Sequence, residues 1–308
     1  MRKLEIKSYG IYLPENTITF GESTRYRIKN ETQIDMAAKA IQVALTNANM
    51  KINDIDCIVS ACAVGSQPIP CTAALIHERV AKGTSIPAMD INTTCTSFIT
   101  ALDVMSYMLE ANRYKNIIIV SSEVGSLGLN PKQTESFELF SDAAVAVIVS
   151  ATNEDLGILY SLQATYSEGA HSTEIRGGLS NFLPKYYNEE TKEEYMFDMK
   201  GKAILHLSIK NLPPIFEKAL KESNLKLSDI DMVVPHQASK ALRLAMQKLG
   251  VPNGKFIDLV NDYGNMVSAS VPFALCTGLE KGLIKKGDII LLLGTAAGLT
   301  INVMILRV

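Results

Sequence analysis

Residues 40–56, AIQVALTNANMKINDID, and residues 215–231, IFEKALKESNLKLSDID, decide the fold. Laid over one another they match at Ala44 and Ala219, Leu45 and Leu220, Asn49 and Asn224, Lys51 and Lys226, and again where Asp54-Ile-Asp56 meets Asp229-Ile-Asp231. Both then run into an apolar segment, Cys57-Ile-Val in one case and Met232-Val-Val in the other. A helical pattern that leads through a turn into a buried strand, met twice in the same order, marks a duplicated unit. Downstream, Ala101-Leu102 and the strand from Ile117 find counterparts in Ala274-Leu275 and the strand from Ile289. Strands alternating with helices inside each copy predict a parallel α/β sheet. The duplication divides the chain into halves, 1–166 and 167–308.

Working outward, Thr32 is placed to cap a helix running to about Asn49, with Ile34, Ala37, Ala38, Ile41, Ala44 and Leu45 on its apolar face. A strand follows from Ile55 to about Cys62, then a helix over about Thr72 to Ala81. Ala143–Val149 and Gly157–Thr165 read as two further strands, antiparallel neighbours joined by the polar turn 151–155. Residues 167–199 are polar and rich in Gly, Tyr and Glu, a set of loops suited to lining an entrance. Pro213-Pro214 predicts a kink or restart in the helix that leads into Ile215.

Cys95 stands between the short apolar segment Ile86–Ile91 and a helical pattern carried by Phe98, Ile99, Leu102, Met105 and Leu109. A thiol at a helix N-terminus meets free backbone N–H groups, which favour the thiolate and lower its pKa. A cysteine in this place is also at home as a small buried hydrophobe. The repeat sets Cys95 opposite Ser268, so Asn265 falls in the equivalent strand-to-helix turn, and His236 follows the repeated strand. Ligands of α/β sheets bind beyond the carboxyl ends of strands, so packing about a pseudo-twofold axis would bring Cys95, His236 and Asn265 together.

Composition narrows the classes. Thirty Lys and Arg against 32 Asp and Glu, with no basic stripe, argue against a nucleic-acid surface. Five cysteines without C-x-x-C spacing argue against a disulfide framework or a cysteine zinc site and for a reducing cytoplasm. The first residues lack the apolar core of a signal peptide, and the apolar runs are too short to span a bilayer.

Four segments in this order carry a resemblance to a known family. They are Thr94-Cys95-Thr96, Val234-Pro-His-Gln-Ala238, Gly264-Asn265 with Ser268-Ala-Ser-Val-Pro272, and Ala296-Ala-Gly298. Together with Phe140-Ser-Asp-Ala-Ala144 they resemble the β-ketoacyl-acyl carrier protein synthase III family of the thiolase superfamily across essentially the whole chain. The resemblance implies a duplicated, thiolase-like fold of five layers, αβαβα. It implies Cys95 as nucleophile, His236 and Asn265 as its catalytic partners, and backbone N–H groups of Cys95 and Gly298 as the oxyanion hole. Ile69, Ser239, Lys240, Ala296 and Ala297 are implied to contact substrate. The implied activity is an acyltransferase that forms a carbon–carbon bond by decarboxylative Claisen condensation of a Cys95-bound acyl group with a malonyl-type thioester. Acyl transfer to an alcohol or amine, and a non-catalytic partner subunit, are the alternatives. No cofactor and no metal are implied. Coenzyme A or acyl carrier protein thioesters serve as substrates, and the protein is expected to be a homodimer without nucleic-acid or membrane partners.

The chain departs from the family pattern in three places. It has no tryptophan for adenine stacking, and only Thr24-Arg-Tyr-Arg-Ile28 resembles the usual coenzyme A segment. Ser239 replaces the usual Asn, and Ala241 stands where an Arg is common, with Lys240 and Arg243 beside it. Ala296 and Ala297 replace glycines, each adding a methyl group near the acyl site.

Overall fold

The structure, a computed structural model, describes residues 1–308. The first half contains β1 (Arg2–Lys3), β2 (Glu5–Tyr12), the hairpin β3 (Thr17–Phe20) and β4 (Ser23–Tyr26), α1 (Gln33–Ala48), β5 (Cys57–Ser60), α2 (Thr72–Val80), β6 (Ala88–Asp90), α3 (Ser97–Glu110), β7 (Asn116–Glu123), α4 (Thr134–Leu139) and β8 (Ala143–Ser150). The second contains β9 (Gly157–Thr165), β10 (Thr173–Glu174), β11 (Asp198–Met199), α5 (Gly201–Glu222), β12 (Met232–Pro235), α6 (Leu242–Lys248), α7 (Val260–Tyr263), α8 (Ser270–Glu280), β13 (Ile289–Ala296) and β14 (Thr300–Arg307).

Two five-stranded sheets result, ordered β2-β8-β7-β5-β6 and β1-β9-β14-β13-β12. In each, a parallel pair from the repeated unit, β5 with β7 or β12 with β13, is extended by antiparallel strands. The alternation along single strands explains the layering. On β7, Ile117 and Ile119 point into the largest core, while Ile118 and Val120 join the cluster under α1 and α2. On β13, Ile290 and Leu292 enter that same largest core, whereas Leu291 and Leu293 join the cluster under α5 and α6. The shared core also takes Phe98, Leu102 and Met105 of α3 with Val271, Ala274 and Leu275 of α8. Helices therefore lie outside each sheet and between the sheets, the five layers αβαβα.

The duplication is visible in hydrogen bonds. Asn49 and Asn224 both adopt the left-handed conformation at the end of their helices. Lys51 N donates to Asp54 Oδ2 at 2.7 Å, and Lys226 N to Asp229 Oδ2 at 2.8 Å. Thr32 caps α1 as expected, its hydroxyl accepting from Asp35 N while Asp35 accepts in return from Thr32 N, an arrangement worth about 0.5–2 kcal/mol.

Two expectations are corrected. β8 and β9 are not neighbours. Both edges of β8 are taken by β2 and β7, so the chain crosses between residues 151 and 156, and β9 pairs instead with β14 and β1 of the second sheet. Pro213 and Pro214 lie inside one continuous helix, α5. The carbonyls that lose their intrahelical partners belong to Ile209 and Lys210, both exposed and open to water.

Candidate active site

Two turns, residues 92–97 and 265–270, pack against each other at the centre of the molecule and are built alike. Asn92 Oδ1 accepts from Thr94 N at 2.7 Å, and Asn265 Oδ1 accepts from Val267 N at 2.8 Å. Thr93 N donates to Ser97 Oγ at 3.0 Å, and Met266 N to Ser270 Oγ at 2.9 Å. Asn92 Nδ2 donates to Ala63 O at 2.9 Å, and Asn265 Nδ2 to Ala238 O at 3.3 Å. Thr94 and Val267 both sit at φ 53°, a left-handed conformation that β-branched residues rarely adopt. That strain throws the next residue, Cys95 in one half and Ser268 in the other, to the apex of its turn. β13 passes close behind the first turn at Gly294, where a Cβ would lie 2.5 Å from Thr96 Cγ2.

Cys95, His236 and Asn265 line one cavity of about 1170 Å³. Ala296, Ala297, Ser239 and Lys240 line it too, as do Thr173, Ile175 and Phe197 from the long loop 167–199. Lys240 is exposed at the cavity's rim, while the neighbouring Arg243 is engaged by Asp258. Ile69 stands elsewhere, 85% exposed on the outer surface.

The orientation of Asn265 is fixed. Because its Oδ1 is occupied by Val267 N, the amide nitrogen is the atom left for the cavity, with one hydrogen toward Ala238 O and one free. His236 is buried, and its Nδ1 is enclosed without a hydrogen-bond partner. Burial alone holds its pKa down at about 4, so the imidazole is neutral at physiological pH.

Cys95 does not carry the lowered pKa expected of a helix start. Burial, followed by the negative charge of Glu123, pushes its thiol up to about 12, although the backbone N–H groups of Ala297 and of Cys95 itself pull the other way. A helix terminus contributes typically 0.3–1 kcal/mol, under one pKa unit, so desolvation wins. In the closing loop the N–H of Ala297, the residue before Gly298, favours the thiolate. Gly298 instead turns the chain at φ 130°, letting Leu299 pair with Tyr166 in both directions at 3.0 and 2.7 Å.

Glu123, at the end of β7, escaped the sequence reading. It is 1% exposed, lines the cavity, and accepts from Ala63 N at 2.5 Å and from the Ser268 hydroxyl. Burial lifts its pKa to about 7. The available signal was an acid closing an otherwise apolar strand, Ile117-Ile-Ile-Val-Ser-Ser-Glu123.

Comparison with known proteins follows the same outline. The chain matches the family model of 3-oxoacyl-(acyl-carrier-protein) synthase III over residues 89–167 and that of its C-terminal part over residues 220–308. It is 31% identical to the beta-ketoacyl-(acyl-carrier-protein) synthase III of Clostridium perfringens, over 97% of this chain and 98% of that protein. The crystal structure of 3-oxoacyl-(acyl-carrier-protein) synthase III from Aquifex aeolicus superposes with a TM-score of 0.87 at 26% identity, covering 99% and 100% of the two chains. The priming β-ketosynthase of the R1128 polyketide pathway shares the fold, with a TM-score of 0.88 at 22% identity over 100% and 96% of the chains.

Proposed function

The chain belongs to the 3-oxoacyl-(acyl-carrier-protein) synthase III family, and from that premise we propose that Cys95 accepts an acyl group from a thioester and passes it to the enolate of a malonyl-type thioester. The protein is an acyltransferase, a ketoacyl synthase of fatty-acid initiation or of a related acyl pathway. In the first half-reaction the Cys95 sulfur bonds to the acyl carbonyl carbon, the donor's carbon–sulfur bond breaks, and the proton lost by Cys95 is balanced by protonation of the departing thiol. The tetrahedral oxyanion is held by the N–H groups of Cys95 and Ala297, a reading supported by the pull of both groups toward the thiolate.

In the second half-reaction the malonyl carboxylate leaves as carbon dioxide, and the electrons of that bond form an enolate. Neutral His236 and the Asn265 amide donate hydrogen bonds to the enolate oxygen. Its carbon then attacks acyl-Cys95, expelling the thiolate and giving a 3-oxoacyl thioester. An amide rather than a carboxylate at position 265 suits this step, because a second negative charge would oppose the enolate. Thiol, imidazole, amide and backbone groups carry every step, with no cofactor called on, and the substrates are thioesters of coenzyme A or an acyl carrier protein.

The observation that carries the reading is the convergence of Cys95, His236 and the oriented Asn265 amide on one cavity. Intact-mass measurement after exposure to acyl thioesters is expected to show one acyl group, lost in Cys95→Ala. Carbon dioxide release from a malonyl thioester is expected to be lost in Asn265→Ala. No adduct from any donor would overturn the proposal.

The working form is a homodimer. Its support is the free edge of β6, which carries the half-open Met89. Sedimentation at micromolar concentration tests it. No helix is long and apolar enough to cross a membrane. All five cysteines are free thiols, in keeping with work in the cytoplasm.

A further inference from the structure

The chemistry at Cys95 uses only a corner of the cavity. At about 1170 Å³ it exceeds the roughly 300–1,000 Å³ of ordinary small-molecule sites. One arm runs from the Asn265 turn between two segments laced together by Phe197 N, which donates to Gly128 O at 2.7 Å. Its walls are apolar: Phe140 and Phe197 meet edge to face with ring centroids 5.0 Å apart, and Val267 and Ile175 complete the lining.

Two wall positions are glycines. A Cβ at Gly125 would meet Phe140 Cδ1 and Val267 Cγ2 at 3.2 Å, and one at Gly128 would lie 3.6 Å from Ile175 Cδ1. Any larger side chain at Gly128 would project toward Ile175 and narrow the arm. Two carboxylates of the lining are engaged, Glu123 by Ser268 and Ala63, and Glu174 by His171 and Arg176, while Glu135 and Glu138 also border the cavity. Leu127, 75% exposed, and Val64, 56% exposed, add apolar surface to the lining.

An acetyl group would leave these walls without a partner. An aliphatic chain gains about 0.8 kcal/mol for each methylene it buries, roughly a fourfold gain per carbon. We infer that the acyl group Cys95 carries is a medium- to long-chain aliphatic one, of about eight carbons or more, lodged in the arm between Gly125, Gly128 and Phe197. The inference rests on the proposed acylation of Cys95 and adds its substrate class.

The test loads the protein with N-acetylcysteamine thioesters of acetyl, butanoyl, octanoyl, dodecanoyl and hexadecanoyl groups, which carry no nucleotide or carrier protein to bias recognition. The rate of the Cys95 adduct is read by intact mass. Octanoyl or longer donors are expected to load at least tenfold faster than acetyl. In Gly128→Phe the ratio of octanoyl to acetyl rates is expected to fall at least tenfold. Where that variant does not fold, Ile175→Trp, at a partly exposed position, reads the same ratio. A maximum at acetyl or butanoyl, or a ratio unmoved in the folded variant, overturns the inference while leaving acylation of Cys95 standing. No adduct from any donor overturns the acylation itself and the inference with it.

Discussion

The Ser268 hydroxyl donates its hydrogen bond to the Glu123 carboxylate, joining the apex of the second turn to the last residue of β7. By the internal symmetry Ser268 stands where Cys95 stands, and Glu123 stands where Ala296 closes β13. One half thus presents a nucleophile to open space, and the other presents a serine stoppered by a buried acid.

Glu123 sits close enough to Cys95 for its charge to raise the thiol pKa. Replacing it by the neutral Gln is expected to lower the pH at which Cys95 reacts with iodoacetamide. The measurement is alkylation rate against pH, with the adduct assigned by mass. An unmoved midpoint in a folded Glu123→Gln protein would show that burial alone sets the thiol.

The same carboxyl makes stability depend on pH. Its folded pKa of about 7 lies above the 4.5 of an exposed glutamate, so its contribution is complete below about pH 4.5 and is lost as pH rises through 7. Melting temperature is expected to fall between pH 5 and pH 8, and to fall less steeply in Glu123→Gln.

His236 has the opposite sign. Its folded pKa of about 4 lies below the usual 6.5, so the stability held by the neutral ring is complete above 6.5 and is lost as pH falls through 4. Malonyl decarboxylation is expected to persist with a neutral ring at pH 5.5. His236→Ala is expected to slow it by roughly 10²–10³, the usual cost of one oxyanion donor. An acid limb near 6.5 would mean that the ring is far better solvated than its burial indicates.

Asn265→Asp keeps an oxygen for Val267 N but turns the second carboxylate oxygen toward the enolate. Decarboxylation is expected to fall at least as far as in Asn265→Ala, with acylation of Cys95 retained in both. Comparing carbon dioxide release with the mass of the acyl adduct separates the two steps, and equal loss of both would contradict the division of roles.

Gly264 precedes Asn265 at φ 74°, where a Cβ would lie 2.2 Å from Leu139 O and 2.7 Å from the Arg25 guanidinium. Gly264→Ala is expected to destabilise the protein by about 3 kcal/mol or more, since both the conformation and the space are denied. Calorimetry showing an unchanged melting temperature would refute this.

Local pattern was legible where local chemistry decides. Thr32 before an apolar-periodic run, the paired Asn49 and Asn224, and the strand-turn-helix around Cys95 are all visible in the chain itself. What depends on distant partners was not. Nothing within Gly157–Thr165 says that β8, the strand nearest in sequence, already has both of its edges taken by β2 and β7. The raised pKa of Cys95 comes from desolvation and from Glu123, which neighbouring residues do not announce.

Thr94 and Val267 hold their left-handed angles only because the packed turns around them leave no alternative. The placement of the reactive sulfur and of the Asn265 amide is therefore a property of the tertiary fold as a whole rather than of a loop that could loosen by itself. On heating, such a site has no early, partial way to fail. Turnover and tertiary structure should disappear over the same few degrees, and a variant that retains its compact core should retain a site in working order.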